Sequence, residues 1–136
     1  MVVKFSEISI STRKKIELIN LTKSVIAFIR NINVNSGICI VNSVHTTNAI
    51  LINENESGLN QDIMNIITSM FPSDGSWLHN KIDNNASAHI ASTFLGNSKT
   101  LPVRNGQVVK GEWQSIFLLE LDGPRTRTVL IEFIGE

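Results

Sequence analysis

Residues 37–56 read GICIVNSVHTTNAILINENE and hold two apolar runs, Ile38 to Val44 and Ala49 to Ile52, on either side of the polar link Thr46-Thr47-Asn48. Runs this short and this rich in β-branched residues are the mark of strands rather than helices. Their near-continuity, in place of strict alternation, is what strands covered on both faces show. The two runs therefore read as a central pair of buried strands, and the rest of the chain is organised around them.

Upstream, Val3, Phe5, Ile8 and Ile10 make Val2 to Ser11 a strand, and Ile16, Leu18 and Ile19 suggest a second over Lys15 to Asn20, joined to the first by a hairpin around Ser11 to Lys14. Asn20 is a fitting N-cap for a helix to about Asn31, whose inner face would be Leu21, Val25, Ile26 and Ile29. Downstream, Ser57 caps a helix to about Phe71 with Leu59, Ile63, Ile66, Ile67 and Met70 inward, ended by Pro72-Ser73-Asp74-Gly75. The loop onward to Asp83 is long enough to suggest function. Asn84 opens a third helix that Gly96 closes, with Asn85, His89, Ser92 and Thr93 along one face and Ile90, Ala91 and Phe94 on the other. The remainder reads as strands: Thr100 to Arg104, Gln107 to Lys110, Trp113 to Leu121 and Arg125 to Ile134, with turns at Asn105-Gly106 and Asp122-Gly123-Pro124. The expectation is one α+β domain over residues 1–136, with a mixed, largely antiparallel sheet and about three helices.

The totals agree with that reading and exclude several functions. A chain of 136 residues, 42% hydrophobic and 18% charged, suffices for one real core. Twelve basic residues balance twelve acidic ones. That balance removes the long-range attraction for nucleic acid or an anionic membrane. The run Arg13-Lys14-Lys15 has no aromatic interleaving and reads as a solvated strand edge or turn. Cys39, the one cysteine, lies in an apolar run as a small buried hydrophobe. Met1 to Phe5 lacks the apolar core of a signal peptide, and no segment approaches a membrane span, so a cytoplasmic location is expected.

The candidates for chemistry are the three histidines, His45 at a strand end, His79 in the long loop and His89 on the polar face of the third helix. Three imidazoles with an open fourth position are one arrangement of catalytic zinc, although no HExxH or paired CxxC element accompanies them, and ordinary hydrogen-bonded histidines are the alternative. Glu54, Asp62 and Gln114 could act as base or orienter. Ser92 could face His89, with no nucleophile elbow around it, and Arg125 and Arg104 are candidate anion contacts.

As a set these residues resemble the YjbQ-like family, the group also called secondary thiamine-phosphate synthases. The likeness is carried by Val44-His45-Thr46-Thr47-Asn48-Ala49 with Asn53-Glu54-Asn55, by Trp77-Leu78-His79-Asn80, and by Asn85-Ala86-Ser87-Ala88-His89-Ile90 with Leu95-Gly96. Leu101-Pro102-Val103 with Gly111-Glu112-Trp113-Gln114, and the ending Ile134-Gly135-Glu136, complete it. Phe94, Glu112 and Trp77 depart from the family pattern, and none is a histidine. The resemblance implies an α+β homotrimer with His45, His79 and His89 clustered near a subunit boundary, either catalytic or holding a divalent metal, zinc or magnesium. It also implies thiamine-phosphate synthase activity, joining hydroxymethylpyrimidine pyrophosphate to a thiazole phosphate, with Arg125, Arg104, Asn85 and Ser92 as contacts for the phosphorylated substrate. The alternatives are a metal-dependent hydrolase with Glu54 as base and a non-catalytic metal- or ligand-binding trimer.

Overall fold

A computed structural model describes residues 1–136. Its elements in order are β1 (Val2–Ser11), β2 (Glu17–Asn20), α1 (Thr22–Asn31), β3 (Gly37–Ser43), β4 (Asn48–Glu54), α2 (Ser57–Met70), a 3₁₀ turn (Leu78–Lys81), α3 (Ala86–Leu95), β5 (Ser98–Arg104), β6 (Gln107–Val108), β7 (Gln114–Glu120) and β8 (Thr126–Gly135). The α+β class holds, with three α-helices. The strands form two sheets instead of one mixed sheet: a five-stranded sheet ordered β1-β8-β3-β5-β6 and a three-stranded sheet ordered β2-β7-β4. All their pairings are antiparallel.

This arrangement overturns two sequence readings. β3 and β4 are not a central pair, since β3 lies between β8 and β5 while β4 edges the other sheet against β7. Nor do β1 and β2 form a hairpin: β1 pairs with β8 and β2 with β7, so the chain changes sheets between Ser11 and Glu17. A continuous apolar run does not say which neighbour covers each face. In β3 only Cys39, Val41 and Ser43 are buried, whereas Ile38 is 41% exposed. The strand buried on both faces is β7, where every residue from Ile116 to Glu120 is buried.

The main core fills the space between the sheets. Cys39, Val41, Leu101, Val103, Val129, Ile131 and Phe133 of the larger sheet meet Ile50, Ile116 and Leu118 of the smaller one, joined by Leu21, Val25 and Ile29 from α1. A second core on the far face of the smaller sheet sets Ala49, Leu119 and Leu121 against Ile67 of α2 and Ala88 and Ala91 of α3. The alternation of Ile116 and Leu118 with Leu119 between the two cores is the period-two consequence of a strand between layers. Helix faces are narrower than their sequence suggested, for Ile66, Met70 and Phe94 are 58%, 64% and 75% exposed. No helix is long and apolar enough to cross a membrane.

Candidate functional site

At one end of the two sheets a cavity of about 650 Å³ opens between the β3–β4 link, the start of α3 and the β7–β8 turn. It is lined by His45, Thr46 and Thr47, by Asp83, Asn85 and His89, and by Asp122, Arg125, Thr126 and Arg127, with Val44 its one apolar residue. So polar a lining does not contribute to folding by burial. It suits a hydrophilic ligand.

The floor is a buried ion pair. Glu120 ends β7 and Arg127 is the second residue of β8, and the Arg127 guanidinium donates to both Glu120 oxygens, from Nε at 2.9 Å to Oε1 and from Nη2 to Oε2. Nη2 also donates to the Thr47 carbonyl and hydroxyl at 3.1 and 2.7 Å. The carboxylate further accepts the Thr12 hydroxyl at 2.8 Å and the backbone N–H groups of Leu121 and Asp122 at 3.0 and 3.1 Å. Burial acts to raise the Glu120 pKa, but the bonds from Arg127, Thr12 and Asp122 outweigh it and hold the group below the usual glutamate range. Four chain segments are thereby tied at one point. Gly123 is required beside them, since a Cβ there would strike the Lys14 carbonyl and the Glu120 side chain.

His45 is anchored through its backbone and its ring. Its N–H donates to Ser43 Oγ at 3.2 Å, Ser43 Oγ donates to Asn48 Oδ1 at 2.7 Å, and its carbonyl accepts from Asn97 Nδ2 at 2.7 Å. The ring Nε2 accepts the Thr128 backbone N–H at 2.9 Å. The β3–β8 ladder ends at Ser43 and Val129, so this amide lies just beyond the last strand pairing and the imidazole takes the vacant acceptor's place. Burial, with Arg127 and Arg125 adding to it and Glu120 opposing, lowers the pKa of His45.

His79 and His89 lie together, ring centroids 4.8 Å apart and edge to face. Asn85, the N-cap residue of α3, links them to the turn: its Nδ2 donates to Asp122 Oδ2 at 2.9 Å. That bond turns Asn85 Oδ1 toward His79 Nε2, 3.0 Å away, so His79 carries its proton on Nε2. Asp122 also accepts from Arg125 Nη2 at 2.8 Å, while Arg125 Nε donates to the Asp122 carbonyl.

The structure thus brings His45, His89, Asn85 and Arg125 to one cavity with His79 at its edge. Ser92 is buried one turn deeper in α3 and is not part of the lining. Glu54 and Gln114 face each other at the opposite end of the β4–β7 ladder, six residues and so about 20 Å from Asn48 and Glu120. Arg104 lies as far along β5, and Asp62 is on the exposed side of α2. Within one chain these four do not reach the cavity. Glu120, Arg127, Asp122, Thr47 and Asp83 were not singled out from sequence. The signal for Glu120 was there, a lone carboxylate in the apolar run Ile116 to Leu121, where a charge must have a buried partner.

The three histidines do not form a ligand set as they stand. No group of three or more His, Cys, Asp or Glu side chains is arranged to hold a metal ion. His45 Nε2 is occupied by an amide proton, and as a neutral ring it then bears its own proton on Nδ1, leaving no lone pair for a metal. His79 Nδ1 and His89 retain theirs.

The family model described as UPF0047 protein YjbQ-like matches residues 6–136. The chain belongs to this family. A UPF0047 protein of Methanothermobacter thermautotrophicus is 43% identical over 136 residues, covering 100% of this chain and 95% of its own length. The UPF0047 protein YugU of Bacillus subtilis is 35% identical over 132 residues, covering 94% and 97%. Among solved structures, a YbjQ-like protein of unknown function from Sulfolobus solfataricus superposes with a TM-score of 0.98 at 43% identity, over 99% of both chains. A YjbQ/UPF0047 protein from Clostridium acetobutylicum gives 0.90 at 32%, over 95% of this chain and 99% of that one. The shared fold thus covers nearly the full length of both solved structures, and the cavity is built from segments inside the matched region.

Proposed function

We propose that the cavity is the active site of a transferase acting on phosphorylated small molecules, with thiamine-phosphate synthesis as its reaction. The observation that supports this reading is a 650 Å³ cavity with one apolar lining residue, two imidazoles and a half-exposed arginine. In that reaction the thiazole ring nitrogen attacks the methylene carbon of hydroxymethylpyrimidine pyrophosphate. A C–N bond forms as the C–O bond to pyrophosphate breaks, and the electron pair leaves on the pyrophosphate oxygen. Arg125, released from Asp122, would hold phosphate oxygens, and His89, with no hydrogen bond to its ring from the chain, would give a proton to the leaving group. Because Arg127 is neutralised by Glu120 and Arg125 by Asp122, with Asp83 also in the lining, no positive excess is present and turnover should be slow. No step is assigned to a divalent metal, because His45 is not disposed to ligate one.

The test is His89→Ala. Turnover of the two phosphorylated substrates to thiamine phosphate should fall by 10²–10⁴, the usual contribution of general acid–base catalysis. The stability loss should be nearer 1 kcal/mol than the 2–5 kcal/mol of a core deletion. Undiminished turnover in the variant, or none in the wild type, would remove the reading and leave a ligand-binding protein.

A further inference from the structure

We propose that His45 is a fixed, neutral, Nδ1-protonated imidazole whose N–H is a hydrogen-bond donor to an anionic oxygen of the bound ligand. This deepens the reading of the same cavity and rests on it for the ligand, though not for the state of the ring.

Three observations lead there. The first is the Thr128 N–H, a donor that cannot be anything else, held 2.9 Å from Nε2. A ring nitrogen that accepts cannot carry a proton, so in the neutral ring the proton is on Nδ1. The second is that Nδ1 has no hydrogen-bond partner within the chain and yet is not among the buried polar atoms left without one, so it is open to solvent on a residue that lines the cavity. The third is the scaffold: Ser43 and Asn97 hold the His45 backbone at both its N–H and its carbonyl, so the ring meets a rigid strand edge on one side and the ligand space on the other.

The charges around it favour the neutral form. Burial opposes an imidazolium, as do Arg127 and Arg125, which line the same cavity, while Glu120 favours one and is already occupied by Arg127. A neutral imidazole N–H polarises an oxygen without giving up its proton. His45 is accordingly a donor, distinct from His89, which is free to transfer a proton. The oxygen it recognises belongs to a phosphate or to a carboxylate. These share the chemistry and are separated by the experiment.

The full-length protein, labelled with ¹⁵N, is studied by long-range ¹H–¹⁵N correlation at pH 7, with His45→Gln used to assign the resonances. The expected result is a pyrrole-type Nδ1 and a pyridine-type Nε2 for His45. Titration with inorganic phosphate should shift the Nδ1–H resonance, and acetate serves as the carboxylate arm. His45→Leu should weaken binding of the effective anion roughly 10- to 100-fold, the loss of one hydrogen bond to a charged group. A proton on Nε2, or on both nitrogens, overturns the proposal. So does an Nδ1–H resonance that neither anion moves, or one equivalent of zinc that displaces the Nδ1 proton. Because these spectra need no turnover, a correct tautomer in an inactive protein would sink the transferase reading and leave this one standing.

Discussion

Replacing Glu120 by Gln should be among the most destabilising isosteric changes available to this protein. Both members of the pair are withdrawn from water, with side-chain exposures of 0% for Glu120 and 3% for Arg127. The amide has nearly the same volume, so no cavity opens, and it keeps one oxygen for Thr12 or for the Leu121 and Asp122 amides. What it loses is the countercharge, and its NH₂ must face either an Arg127 donor or a backbone N–H. Leaving one charge of a buried pair uncompensated costs about 3–5 kcal/mol. Against a typical total of about 5–15 kcal/mol, that is a large share of the stability. For a domain of this length it corresponds to a fall in Tm of about 10–20 °C. The assay is urea unfolding at pH 7 and one fixed protein concentration, since any assembly makes stability depend on concentration. A companion variant, Glu120→Leu with Arg127→Met, removes both charges and should recover most of the loss. If Glu120→Gln unfolds within about 1 kcal/mol of wild type, or the double variant is no better than the single one, then Arg127 is neutralised by something other than Glu120.

Stability should also fall on the acid side by two routes. His45 and Glu120 both have folded pKa values below their ordinary ones, so each contributes stability above its unfolded pKa and loses it as protons bind the unfolded chain more readily. The loss should begin below about pH 6.5 for His45 and below about 4.3 for Glu120. A urea midpoint flat from about pH 7 to pH 5 would contradict the first, and one flat from about pH 4.5 to pH 2 the second. Burial pushes the Cys39 thiol up to about 11, so it should resist alkylation at pH 8 in the native protein and react only on unfolding. Mass spectrometry after a timed iodoacetamide pulse reads this, and rapid native labelling would place the thiol at the surface. In solution we expect a homotrimer, which would cover Phe5, Ile66, Met70 and Phe94, all more than half exposed in one chain. Light scattering at a single-chain mass across the accessible concentrations would exclude it.

Local chemistry was legible wherever neighbours in sequence decide it. Strand β1 begins and ends where alternation placed it, and α1 and α2 follow their apolar periods to within two residues. The cap is displaced by one residue: Leu21, not Asn20, is the N-cap of α1 and has no side-chain cap bond, while Asn20 Oδ1, one position earlier, accepts the Thr22 N–H at 2.9 Å. What the sequence did not carry was partnership. The hairpin between β1 and β2 fails because Thr12 is held against Glu120 and the Arg125 backbone, contacts more than a hundred residues away, and these turn the chain toward the second sheet. Similarly, the apolar run of β3 looked covered on both faces, although only period-two neighbours in a known sheet could have shown which face was outside.

The same division explains the site. His45, His89, Asn85 and Arg125 were found because histidines, an amide and an arginine at element ends are conspicuous by type. Glu54, Gln114 and Arg104 were conspicuous in the same way and yet lie at the other ends of their strands, and Asp62 on the exposed side of α2, since residue type gives no direction along a ladder or around a helix. The residues that give the histidines their chemistry were inconspicuous. Asp122 looked like a turn residue and Thr128 like an ordinary strand position, but one orients Asn85 toward His79 and the other, by its backbone alone, fixes where His45 carries its proton. A backbone amide has no signature in sequence, because every residue except proline has one. The family resemblance implied a metal at the three histidines, whereas by residue type alone ordinary hydrogen-bonded rings were the alternative, and a single N–H···N bond from Thr128 is what gives His45 the part of a donor in the reading proposed above.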